Sequence, residues 1–143
     1  MKQTFTLLAL LFFVSTGVQA QKVALCGFNT DNNDGFAFVA LIDLVEGDVI
    51  YFTDGTYVAS SNSFNVSSTN NTVITYTVPA GGIPKGQVIR AEETSSNTLT
   101  ATRSGGATPT GSFSISAGSN FRLSGGEPLF AFRATMQRTL PDL

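Results

Sequence analysis

Apolar positions in this chain fall in short runs of strand length rather than at helical spacing. After residue 20, no segment longer than about ten residues shows the 3.6-residue apolar period of a helix. Short runs of β-branched and aromatic residues recur instead, each bounded by Gly, Asn, Asp, Ser or Pro. That is the signature of strands separated by turns. Strands are predicted over Lys22 to Phe28, Phe36 to Asp43, Asp48 to Asp54, Thr72 to Val78, Gln87 to Ala91, Asn97 to Arg103, Ser112 to Ala117, Phe121 to Leu123 and Pro128 to Ala134. The Phe36 run is apolar on both alternating faces, as expected of an interior strand. Ser112 to Ala117 alternates cleanly, so one face packs and the other is wet.

Eight or nine such short strands in one chain predict an all-β, antiparallel sandwich or barrel, of immunoglobulin-like size with about eight strands. The predicted core is Phe36, Phe38, Val39, Leu41, Ile50, Phe52, Ile74, Tyr76, Ile89, Phe113, Ile115, Phe130 and Phe132. Gly47 and Gly86 each precede a Val-Ile pair by two residues, which predicts one turn used twice with Gly at positive φ. The stretch from Gly55 to Asn71 is long for a loop in a small domain and is expected to bind something or to be mobile. Phe64 and Val66 are its candidate anchors. It holds two glycosylation sequons by pattern, Asn65-Val66-Ser67 and Asn70-Asn71-Thr72. Cys26 sits in the apolar Val23 to Phe28 run and is expected to be a buried, inert thiol.

The first 20 residues read differently. Lys2 is followed by the apolar run Phe5 to Val14, then by Ser15-Thr16-Gly17 and by Val18-Gln19-Ala20. This is the tripartite pattern of a secretory signal peptide, with cleavage expected after Ala20. The apolar run has about half the roughly 20 residues a spanning helix needs. The chain is therefore expected to be a signal peptide, 1–20, and a single domain, 21–143. Its expected place is outside the cell or on its surface, with no membrane span once the signal is removed.

Composition narrows the chemistry. The 143 residues include no His, no Trp and one Cys. This excludes Ser-His-Asp and Cys-His nucleophile systems, His-ligated metals and any disulfide framework within the chain. A net charge of -2 and a pI near 4.9 argue against nucleic acid as a partner.

The charge is unevenly placed. No Lys or Arg lies between Lys22 and Lys85, yet Asp31, Asp34, Asp43, Glu46, Asp48 and Asp54 do. Such a segment repels itself unless its carboxylates are spread out, hydrogen-bonded or bound to a cation. Asn29-Thr30-Asp31-Asn32-Asn33-Asp34-Gly35 has alternate oxygen donors, as a calcium loop does. Asp31 and Asp34, with Asp54 as a third ligand, form a candidate Ca²⁺ site. The loop is no EF-hand, since Asp34 and Ala40 stand where that motif needs Gly and Glu, and a plain turn explains the same residues. Tyr57 and Phe64 are the candidate ligand-binding residues, two aromatics in a long polar loop able to stack on a sugar ring or a partner.

Several pieces also occur together in a known setting. They are Ala24-Leu25-Cys26-Gly27-Phe28-Asn29, Asn33-Asp34-Gly35-Phe36-Ala37-Phe38-Val39, Gly47-Asp48-Val49-Ile50-Tyr51-Phe52-Thr53-Asp54, Pro84-Lys85-Gly86-Gln87-Val88-Ile89 and Ser124-Gly125-Gly126-Glu127-Pro128-Leu129-Phe130-Ala131-Phe132. In this order they resemble a β-sandwich module of secreted bacterial proteins, distantly similar to lamin-tail domains. The resemblance implies an immunoglobulin-like sandwich and an export route. It implies no activity and supplies no catalytic residues. The long loop departs from the pattern by lacking a Trp after the Phe-Thr-Asp piece. Similar modules continue past the point reached at Leu143, so a truncated copy is expected.

Three readings of function stay open. One is a non-catalytic extracellular or cell-surface module that binds or adheres, with a glycan or protein as partner. The second is an accessory domain or fragment of a metal-assisted extracellular hydrolase. The third is a structural spacer. The first is preferred, on export, β composition, long polar loops and missing catalytic side chains.

Overall fold

In a computed structural model, residues 21–30, 34–66, 72–95, 98–106, 110–117 and 128–132 are described. They contain ten strands and no helix. The strands are β1 Val23–Asn29, β2 Gly35–Ala40, β3 Val49–Thr53, β4 Thr56–Val58, β5 Ser63–Asn65, β6 Val73–Thr77, β7 Val88–Ser95, β8 Thr98–Arg103, β9 Ser112–Ala117 and β10 Phe130–Phe132. All pair antiparallel. One sheet has the order β1-β2-β7-β8, a second the order β10-β3-β6-β9, and β4 and β5 form a separate hairpin. The expected Phe121 to Leu123 strand and the signal segment lie outside the described residues.

Alternation decides what goes inside. Side chains two apart along a strand share a face. Phe36, Phe38 and Ala40 of β2, Ile89 and Ala91 of β7, Ile50 and Phe52 of β3, and Ile74 and Tyr76 of β6 are all buried in one core. The rings interlock across the two sheets: Phe36 to Phe52 at 4.7 Å, Phe38 to Phe52 at 5.1 Å and Phe38 to Tyr76 at 5.2 Å between centroids. Such tilted and edge-on pairs contribute about 0.5–1.5 kcal/mol each beyond their buried area. The Tyr76 hydroxyl, also inside, donates to the Thr110 carbonyl at 2.8 Å. Burial pushes its pKa up to about 12, against a smaller lowering by Arg103.

The chain crosses between the two four-stranded sheets three times, from β2 to β3, from β6 to β7 and from β8 to β9, and the first two crossovers form a pair. These two crossovers are built alike and bonded to each other. Leu44 N–H donates to Ile83 O at 2.8 Å, and Ile83 N–H donates to Leu44 O at 2.9 Å. Each is followed by a turn closed by an N–H three residues on: Asp48 to Val45 O at 3.0 Å, and Gln87 to Pro84 O at 3.1 Å. Gly47 and Gly86 stand third in these turns at φ 79° and 84°, the left-handed region where a Cβ is penalised. Their amides donate to Val78 O, one residue past the end of β6, and to Ala40 O, the last residue of β2. The Gly signal thus marks two crossovers related by a local pseudo-twofold through the Leu44–Ile83 bridge.

Four expectations change. The described residues hold ten strands rather than eight or nine, because the long loop adds the β4–β5 hairpin to eight of the expected strands. Leu41 is 37% exposed, since β2 ends at Ala40 and the chain turns away. In β10 the register is shifted by one: Leu129 and Ala131 face the core, while Phe130 and Phe132 lie on the opposite face. Cys26 is exposed rather than buried, because a bulge between Leu25 and Gly27 takes it out of the alternation.

Candidate functional site

The acidic segment is stabilised by its own backbone. Asp43 accepts the Lys85 N–H at 2.8 Å, tying the two crossovers together. Asp48 accepts the Val45 N–H at 3.1 Å and is ion-paired with Lys22. Asp54 is only 7% exposed, and its Oδ1 accepts the Thr72 N–H at 2.6 Å. It thereby bridges the two ends of the segment that leaves β3 and re-enters at β6. Three of the six acids are thus held by backbone N–H groups, the hydrogen-bonded solution to the repulsion expected from sequence.

Asp31 lies outside the described residues. Asp34 is half-buried just before β2, and its carbonyl accepts the Glu93 N–H at 2.9 Å. Among the described residues, no three His, Cys, Asp or Glu side chains come together as a metal would need.

Tyr57 and Phe64 are brought together. They stand opposite each other in the β4–β5 hairpin, with rings 5.4 Å apart. Cross-strand partners share a face, and that face turns onto the second sheet. Phe64 lies 5.2 Å from Phe130 and 4.9 Å from Phe132, and Phe132 stacks on Tyr51 at 5.5 Å and 26°. The outward phenylalanines of β10 are therefore covered by the hairpin. Gly55 permits the hairpin to fold back: a Cβ there would meet Asn65 O at 2.8 Å, Thr53 Oγ1 at 3.0 Å and Val66 Cγ2 at 3.3 Å. Val66 is buried, as expected of an anchor.

The hairpin tip is braced from within. The Tyr57 hydroxyl donates to Asn62 Oδ1 at 2.8 Å, and Asn62 holds a left-handed φ of 49° that Asn tolerates better than most residues. Ser61 Oγ and Ser63 Oγ are 2.7 Å apart. Phe64 is half-buried and serves as a support, whereas Tyr57 remains 40% exposed.

The rest of this outer face follows from register. Phe132, Tyr51, Thr75 and Ser114 lie in one row across the second sheet, and Val49, Thr77 and Ser112 in the next. Ser112 and Ser114 are exposed, and Thr75 and Thr77 half-buried. No strand of this sheet, nor the hairpin, carries a charged side chain. The first sheet differs: its outer face holds Arg90 and Glu92, paired at 3.1 Å.

Sequence reasoning did not single out Tyr51, Thr75, Thr77, Ser112 or Ser114. The signal was present: from Gly55 to Pro84 the chain has no charged residue, and Thr75 and Thr77 alternate with buried Ile74 and Tyr76. No helix among the described residues is long and apolar enough to cross a membrane. No family model, curated protein or solved structure matches the chain.

Proposed function

We propose that this chain is an exported, non-catalytic binding module of the cell exterior, built as an immunoglobulin-like sandwich of the lamin-tail kind. Its ligand surface is the outer face of the second sheet together with the β4–β5 hairpin. The observation that carries this reading is the charge-free, hydroxyl-bearing face, with a braced hairpin presenting Tyr57 at its edge. Solvent-facing sheet surfaces usually carry interspersed charges for solubility, so a face without them is suited to contact. Rigid strands and a locked tip also lower the ordering cost of binding.

The test uses the full chain with residues 1–20 in place, expressed in a bacterial host and recovered from the exported fraction. Retention is measured on immobilised polysaccharides, matrix proteins and whole cells. Ser114→Arg is expected to abolish retention without moving the unfolding midpoint, and Arg90→Ala on the other sheet to leave it intact. Retention that follows Arg90 instead, or no retention on any surface, would overturn the assignment. Protein left inside the cell would overturn the export.

A further inference from the structure

Resting on that reading, we infer that the ligand is a neutral polysaccharide, a chain of sugar rings without carboxylate, sulfate or amine groups. The argument begins with charge. Among the described residues, charged side chains lie elsewhere: Arg90 and Glu92 on the first sheet, and Asp43, Asp48 and Lys85 at the crossovers. A charged ligand seated on the second sheet would lose hydration and meet no counter-charge. Anionic polymers and lipid headgroups want Lys or Arg, and the strands and hairpin of this face have neither.

The second step is the kind of neutral ligand. A protein partner would need an apolar interface centre, and Ser is depleted in such centres. Here the open part of the face carries hydroxyls beside a single apolar row-mate, exposed Val49. Thr75 and Ser114 are neighbours across paired strands, as are Thr77 and Ser112. Paired strands are spaced about 4.8 Å apart, and side chains two apart on one strand about 6.8 Å. The four hydroxyls therefore form a small flat lattice in which each group can both donate and accept. Sugar hydroxyls do the same.

The third step is what borders the lattice. The rings of Tyr57, Phe64, Phe132 and Tyr51 follow one another at 5.4, 4.9 and 5.5 Å. Tyr51 ends this path and lies next to Thr75 in the same row. Phe64 and Phe132 pack on each other beneath the hairpin. The rings that border the lattice are therefore exposed Tyr57 at one end and half-buried Tyr51 at the other. This pairing of aromatic edge and hydroxyl lattice matches a ligand whose rings have apolar C–H faces and polar rims. The path spans the hairpin, β10, β3, β6 and β9, so the ligand is a chain of several sugars rather than one.

The experiment is affinity electrophoresis of the full exported chain in gels containing neutral glucans, mannans or galactans, with polygalacturonate and dextran sulfate as charged counterparts. Retardation by at least one neutral polymer is expected, and by neither charged one. Thr75→Ala with Ser114→Ala removes two hydroxyls without adding charge and should weaken binding about tenfold, which is about 1.4 kcal/mol. Tyr57→Ala should weaken it as well, while Thr102→Ala on the first sheet should not. A preference for the charged polymers, or neutral binding indifferent to Thr75 and Ser114, would overturn the inference. If all neutral polymers fail while a matrix protein binds through the same face, the glycan is wrong and the binding surface stands. If nothing binds through that face, both fall.

Discussion

Gly82 and Gly86 differ in a way that tests the crossover geometry. Both have positive φ, 69° and 84°. A Cβ on Gly86 would meet nothing within 4 Å, whereas one on Gly82 would lie 2.5 Å from the Leu44 carbonyl oxygen. That oxygen accepts the Ile83 N–H at 2.9 Å, one half of the bridge between the crossovers. In both cases Ala adds the left-handed penalty of about 1–2 kcal/mol. It also restricts the unfolded chain, which returns about 0.4–1 kcal/mol. These two effects are common to both sites and cancel in the comparison. Gly82→Ala must in addition displace backbone, an overpacking cost of about 1–3 kcal/mol. Gly86→Ala should thus cost roughly 1 kcal/mol and Gly82→Ala roughly 2–4 kcal/mol. Urea unfolding reads the difference: with a slope of about 2 kcal/mol per molar, the midpoints should separate by about 0.5–1.5 M. Equal midpoints, or a larger loss at Gly86, would refute the close approach of the two crossovers.

Phe38→Ala should cost about 3–5 kcal/mol, because the ring is wholly buried between Phe52 and Tyr76; a chemical denaturation midpoint near that of the parent would contradict the placement of the core. Asp54→Ala should cost about 1–3 kcal/mol by stranding the Thr72 N–H, and by the same amount in chelator as in millimolar Ca²⁺; a cost confined to calcium buffer would move Asp54 from the fold to a metal site. Tyr76 gives a pH dependence. Burial raises its pKa from 10.0 to about 12, so the unfolded chain releases this proton first and binds fewer protons than the folded one in between. Its contribution is unchanged below pH 10 and is lost as pH rises from about 10 towards about 12. Tyr76→Phe should remove that slope from a melting-temperature profile, at a cost near neutrality of about 0.5–1.5 kcal/mol for the hydrogen bond to Thr110; an unchanged slope would assign the alkaline loss to other groups.

The parts of this fold legible in the sequence are those fixed by local rules. β2, β3, β6 and β9 were readable because large apolar or β-branched side chains alternate there, and the two Gly turns because positive φ leaves few alternatives to Gly. What misled was side-chain size. Phe130 and Phe132 look more core-like than Leu129 and Ala131, yet they face away from the core, because the hairpin offers a second apolar cover that only tertiary structure reveals. Cys26 was misplaced for a related reason: one bulge resets the alternation, and no residue type announces it. β4 and β5 are three residues each, too short for a periodic signal, and Ser and Asn around them read as loop. The candidate face was hidden for another reason. It is defined by the absence of charge over strands that are adjacent only after folding.

The central claim is that binding occurs on the outer face of the second sheet. Amide chemical-shift mapping of the ¹⁵N-labelled chain, titrated with an oligosaccharide of the polymer that retards it most, reads this directly. The account predicts shifts concentrated at Tyr51, Thr75, Thr77, Ser112, Ser114 and the hairpin from Thr56 to Asn65, with the first sheet silent. Shifts concentrated instead on β1, β2 and β7, around Ala37, Arg90 and Glu92, would contradict it.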